Sequence, residues 1–192
     1  MFSKPFYYIF KTKDHSFNKD KILEAIGQFG PIPLRANNDP QTYISSSDWG
    51  GDSKWLNVLL SPRDHNRYLH FVVEKFNKKG TVVNFQRSWF NQYYSYSGAN
   101  HHWHDHAPDP TPEDFFQVAN VYYVELEDKS LRTRLKHPIT GKEVVPKVNE
   151  GDILLFPSTL KHMSPKNYTS TRKTVVSFNV RFDTEVINEI LY

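Results

Sequence analysis

From residue 81 onward the chain is a series of β-branched and aromatic runs broken by turn residues: TVVNFQRSWFNQYYSY, QVANVYYVEL, SLRTRLKH, KEVVPKV, DILLFP and KTVVSFNVRF. Such residues suit pleated, half-buried surfaces, and the breaks between them carry Gly, Pro, Asn and Asp. No helical period intervenes. Many short strands joined by turns predict a sandwich or barrel.

The first 80 residues read differently. Residues 5–10 (PFYYIF) predict a short strand. Asn18 to Phe29 predict a helix with Ile22, Leu23, Ile26 and Phe29 on one face and Gly30 as its stop. Residues 31–60 are rich in turn signals and predict loops. A second helix should start at Ser61, with Pro62 in its first turn and Asp64 completing a capping-box-like start. Its apolar face is Leu69, Val72, Val73 and Phe76, and Gly80 ends it. Residues 1–80 carry too little apolar surface to fold alone. The expectation is one domain over residues 1–192, mainly β with N-terminal helices, in which 1–80 support a core at 81–192.

Composition narrows the chemistry. There is no cysteine, which removes disulfides, thiolate metal sites and cysteine nucleophiles. A formal charge of +3 is mild, and the basic residues form no stripe with interleaved aromatics, so nucleic acid is disfavoured as a partner. The N-terminal stretch has no signal-peptide pattern and no apolar run reaches the ~20 residues that span a bilayer, so a cytoplasmic location and no membrane partner are expected.

Residues 98–106 read GANHHWHDH. Nine histidines spread over 192 residues would give fewer than one in any six, yet residues 101–106 hold four. If the segment is extended, alternation places His102, His104 and His106 on one face and His101, Trp103 and Asp105 on the other. Imidazoles at i and i+2 on a rigid strand converge on one point, and neutral imidazole is a common ligand for iron and zinc.

Further on, GDILLFPSTLKH predicts a strand entered from a Gly-Asp turn, ended by Pro157 and followed by His162. Ten residues later stands Arg172, with Thr174 on the same strand face. A guanidinium on an inward face is costly unless paired, and it suits bidentate capture of a carboxylate with the Thr174 hydroxyl as a further donor.

Taken together, SWFNQYYSYSG, the His-Asp-His at 104–106, VYYV at 121–124, GDILLFPSTLKH at 151–162 and the Arg-Lys-Thr at 172–174 resemble the Fe(II)/2-oxoglutarate-dependent oxygenase superfamily. The prolyl-hydroxylase-like and small bacterial and phage branches are the nearest in pattern, over roughly residues 81–182. The resemblance implies a double-stranded β-helix, or jelly-roll, core. It implies Fe(II) held by His104, His106 and His162, and 2-oxoglutarate and O₂ as cosubstrates. A small-molecule or peptide substrate would be hydroxylated with release of succinate and CO₂. Arg172 would bind the distal carboxylate of 2-oxoglutarate with Thr174, and Tyr94 and Tyr123 would line its pocket. The family usually has Asp or Glu where this chain has His106, so the site would lack one negative charge and retain Fe(II) less firmly. Asp105 is the nearest carboxylate in sequence, and Asp109 and Glu113 lie in the loop that follows. The SSSDWGGDSKW and 107–114 segments are candidate lids.

Two other readings share this expected fold. Gly98 with His104 and His106, and Gly151 with Pro157 and His162, fit parts of the two cupin motifs, although the glutamate expected shortly after the first pair is missing. The row of Arg132, Arg134 and Lys136 would instead suit a non-catalytic jelly-roll that binds an acidic partner, or a solvated edge.

Overall fold

The computed structural model describes residues 5–35, 41–49, 60–76, 78, 81–106 and 116–184. In chain order the elements are β1 (Tyr8–Lys11), α1 (His15–Gly27), β2 (Leu34–Arg35), β3 (Tyr43–Ile44), β4 (Ser46–Ser47), α2 (Pro62–Lys75), β5 (Thr81–Tyr93), β6 (His101–His104) and β7 (Phe116–Leu126). They continue with β8 (Arg134–Lys136), β9 (Glu143–Val144), β10 (Asp152–Pro157), β11 (His162–Ser164) and β12 (Lys173–Thr184). Two antiparallel sheets face one another. The larger runs β1-β10-β7-β12-β5-β4 and the smaller β6-β11-β8-β9, with a separate β2–β3 pair. Two facing sheets are the sandwich that the strand runs predict, in the jelly-roll form that the resemblance implies, with both helices in the N-terminal part of the chain.

Helix α2 begins as its sequence predicts. Ser61 is the N-cap, its Oγ accepting from the Asp64 amide at 3.1 Å, and Pro62 occupies the first turn. Helix α1 runs over His15–Gly27 instead of 18–29, and Phe29 lies beyond it in a turn, its amide donating to the Ile26 carbonyl at 3.0 Å. The stretch predicted as loop around residues 31–60 contributes three short strands, β2 to β4. The backbone enters β10 at Gly151 with φ +83°. A Cβ there would come within 2.9 Å of the His15 ring, so both the conformation and the space require glycine.

The larger sheet is buried on both faces. On one side, Phe90, Tyr122, Val124, Val176, Phe178 and Val180 pack against Ile22 and Ile26 of α1 and Tyr68 and Val72 of α2. On the other, Tyr93, Val121, Tyr123, Leu154, Phe156 and Val175 meet Leu135 of the smaller sheet. Each such side chain contributes about 2 kcal/mol when fully buried. Strand β12 therefore has two interior faces: Thr174, Val176, Phe178 and Val180 look toward the helices, and Lys173, Val175 and Ser177 look between the sheets. No helix among the described residues is long and apolar enough to cross a membrane.

Candidate metal centre

Strands β6 and β11 pair so that His162 lies opposite His104. His106 follows β6 and is held by its own amide, which donates to the Ser158 carbonyl at 2.8 Å. The ring centroids of His104 and His162 are 4.1 Å apart, those of His106 and His162 4.8 Å, and those of His104 and His106 5.3 Å. One nitrogen from each ring lies within 4.8 Å of the others.

The opposite nitrogens explain how the rings are aimed. Nδ1 of His104 sits 2.7 Å from the His102 carbonyl, Nδ1 of His162 2.9 Å from the Leu160 carbonyl, and Nδ1 of His106 3.3 Å from Oδ1 of Asn179. Each of these acceptors calls for the proton on Nδ1, the tautomer in which Nε2 carries the lone pair that binds an ion. Burial, reinforced by His104, lowers the pKa of His106 to about 4. Burial, then His104 and His106, holds that of His162 well below its ordinary value. Three converging, oriented imidazoles are the donor set that a divalent first-row transition metal takes. Asp105 is exposed and is not one of the converging groups. Asp109 and Glu113, and most of both candidate lids, lie outside the described residues.

The imidazoles line a cavity between the two sheets. Its other walls carry Trp89, Tyr93, Ser164, Val175 and Lys173. Lys173 is 1% exposed. Its Nζ donates to Ser164 Oγ at 2.8 Å and lies 5.0 Å from the centre of the Tyr93 ring and 5.7 Å from that of Tyr123. Among the described residues no carboxylate pairs with it, and burial lowers its pKa to about 7.

Arg172, expected to face this cavity, does not. One residue earlier on the chain, it points to the helix side of the larger sheet and forms a two-pronged pair with Glu125, both contacts at 2.8 Å. Its side chain is 44% exposed. Thr174 shares that face, as expected, and its hydroxyl donates to the same carboxylate. Tyr94 lies beside Arg172 in a surface pocket against α1. Tyr123 does face the space between the sheets, buried, its hydroxyl accepting from the Thr133 amide at 3.3 Å. The cation of the cavity is thus Lys173, and the tyrosine across from it is Tyr93. The signal for both was present: on β12 the alternate residues Lys173, Val175, Ser177 and Asn179 form the more polar series, and the polar face of a doubly buried strand is the one that meets a ligand.

The alternation expected for the histidines also fails. The pairing of β6 with β11 slips between His104 and His101, placing an extra residue on β6. This bulge brings His101 round to the side of His104, and both line the cavity, while His102 lines a groove on the outer side with Arg134 and Lys166. Lys136 lies over the ring of Trp103 at 4.4 Å, and Arg134 pairs with Glu143, so the basic row is engaged within the protein.

No family model matches the chain, and no curated protein is significantly similar to it. Its fold is nevertheless shared with solved 2-oxoglutarate oxygenases. A viral collagen prolyl hydroxylase from Paramecium bursaria Chlorella virus-1, solved with 2-oxoglutarate, is 16% identical, with a TM-score of 0.60 over 92% of this chain and 96% of that one. A Pseudomonas putida prolyl-4-hydroxylase is 14% identical, with a TM-score of 0.61 over 92% of each chain. A Trichoplax adhaerens prolyl hydroxylase, solved with a peptide fragment, is 15% identical, with a TM-score of 0.60 over 94% of this chain and 84% of that one. The fold shared with these hydroxylases is a jelly-roll, here with three imidazoles gathered between its sheets.

Proposed function

We propose that the protein is an Fe(II)- and 2-oxoglutarate-dependent oxygenase that hydroxylates a small-molecule or peptide substrate, with residues 1–80 bracing the core within one domain. The observation that carries this reading is a single cavity holding three converging imidazoles and a buried lysine. His104, His106 and His162 would hold the ion through Nε2. Lys173 would receive the distal carboxylate of 2-oxoglutarate, aided by the Ser164 hydroxyl. Ser164 follows His162 by two residues on β11, a spacing of about 7 Å along a strand, which suits a five-carbon dicarboxylate spanning from ion to lysine. A buried ammonium without a counter-ion is costly, and a ligand carboxylate would relieve that cost. Bound there, Fe(II) would supply the O₂-dependent oxidation for which 2-oxoglutarate is converted to succinate and CO₂.

The chain's own residues would do the rest. Carbonyls and Asn179 keep the imidazoles in the binding tautomer, Val121, Val175 and Phe156 keep the cavity dry, and Trp89 closes the His106 side. A cupin without 2-oxoglutarate would have no use for Lys173. Anaerobic addition of Fe(II) and then 2-oxoglutarate tests the reading: the chelate gives a weak visible charge-transfer band. Its absence from the wild-type protein overturns the proposal.

A further inference from the structure

The metal cluster uses two of the four histidines at 101–106, and a third also lies inside. His101 is 7% exposed, and its ring lies face to face on that of His104, centroids 3.5 Å apart and planes 14° from parallel. Its ring also meets Trp49 at 5.2 Å. Trp49 is nearly parallel to Trp89 at 6.2 Å, and Trp89 stands edge-on to His106 at 5.5 Å. A circuit of five rings thus begins and ends on two of the converging imidazoles. Neither nitrogen of His101 has a hydrogen-bond partner among the described residues. His101 lines the cavity, so its nitrogens are open to a molecule bound there.

We infer that His101 is a positioning residue for the centre: its stack fixes the plane of His104 so that Nε2 stays turned toward the ion, and its unused nitrogen gives the bound cosubstrate a hydrogen bond. The inference rests on the oxygenase reading of the site. Stacking is effective here because an ion draws charge from the His104 ring, and an aromatic face against an electron-poor ring is favourable. Held between His104 and Trp49, His101 leaves the His104 ring little freedom to turn. Imidazole meets both demands, whereas phenylalanine would meet only the first.

Titration of the metal-free protein with Co(II), followed by its ligand-field spectrum, separates the two roles without turnover. His101→Ala is expected to weaken Co(II) binding about tenfold, as loss of an outer support to a ligand does. His101→Phe is expected to bind Co(II) like wild type, yet to bind 2-oxoglutarate in the Co(II)-loaded protein about fivefold more weakly, the worth of one hydrogen bond. If His101→Ala unfolds, His101→Asn takes its place, with weakened Co(II) binding expected. Wild-type Co(II) affinity in the Ala or Asn variant overturns the stacking role. Wild-type 2-oxoglutarate affinity in His101→Phe overturns the hydrogen bond. A wild-type protein that binds no Co(II) at all instead overturns the reading of the centre itself.

Discussion

Lys173 and Tyr93 stand directly opposite one another on β12 and β5, both turned into the space between the sheets, with the ammonium nitrogen 5.0 Å from the centre of the phenol ring. Their sequence neighbours Arg172 and Tyr94 share a pocket on the far side of the same sheet. A shift of one residue along a strand separates the lysine of the cavity from a surface ion pair.

On the proposed reading, replacing Lys173 should abolish 2-oxoglutarate binding, and replacing Arg172 should not. In calorimetric titrations of the metal-loaded protein, Lys173→Met is expected to show no 2-oxoglutarate heat, while Arg172→Ala binds as wild type does. Arg172→Ala should cost stability only about 1 kcal/mol or less, because its pair with Glu125 is partly exposed and screened. Loss of binding in Arg172→Ala with retention in Lys173→Met would reverse the assignment.

The same lysine predicts a proton linkage. Its pKa in the ligand-free protein, about 7, lies below the ordinary 10.5 because burial disfavours the charge. The groups facing it are Tyr93, Tyr123, Ser164 and, at longer range, His101. A carboxylate restores the charged form, so above about pH 7 binding should take up close to one proton, and affinity should fall as pH rises. Titrations in two buffers of different ionisation enthalpy measure this directly. Between about pH 7 and 10 the unfolded chain holds the extra proton, so for this group the ligand-free protein gains stability as pH rises. Lys173→Met should flatten that slope. A slope unchanged by the substitution would show that the linkage lies elsewhere.

His104→Ala, His106→Ala and His162→Ala should each reduce Fe(II) or Co(II) binding by at least about tenfold, whereas Asp105→Ala should leave it near wild type. Equilibrium dialysis under anaerobic conditions gives the answer. An Asp105→Ala protein that no longer holds metal would make the carboxylate a ligand after all.

A stability prediction concerns Asp64, which is fully buried in α2. Its Oδ2 accepts from the amides of Lys13 and Asp14 at 2.7 and 2.9 Å, and its Oδ1 pairs with Arg67 at 2.5 Å. Asp64→Ala strands two amides and a guanidinium, and should cost about 3 kcal/mol in urea denaturation. A loss under about 1 kcal/mol would mean that water reaches these groups.

Much of the architecture was legible along the chain because its signals are local. The Ser61-Pro62-Asp64 start depends on neighbours within one turn, and the strand runs after residue 80 on side-chain shape. The histidine density at 101–106 pointed to a metal site, whereas His162 was assigned only through the resemblance, with Arg172 ten residues on as its support. What the linear pattern left open was phase. Strand β12 is covered on both faces, so alternation divides it into two series without saying which one looks between the sheets. Only the packing of Val176, Phe178 and Val180 against the helices gave the cavity to Lys173 instead of Arg172. The bulge in β6 is likewise a property of pairing with β11, and it carried His101 to the side of His104 against the simple alternation. Composition and local order determined that this chain would be a histidine-bearing β-fold. Contacts between residues far apart in sequence decided which of its side chains meet in the cavity, because a strand's two faces become distinct only when other layers close over them.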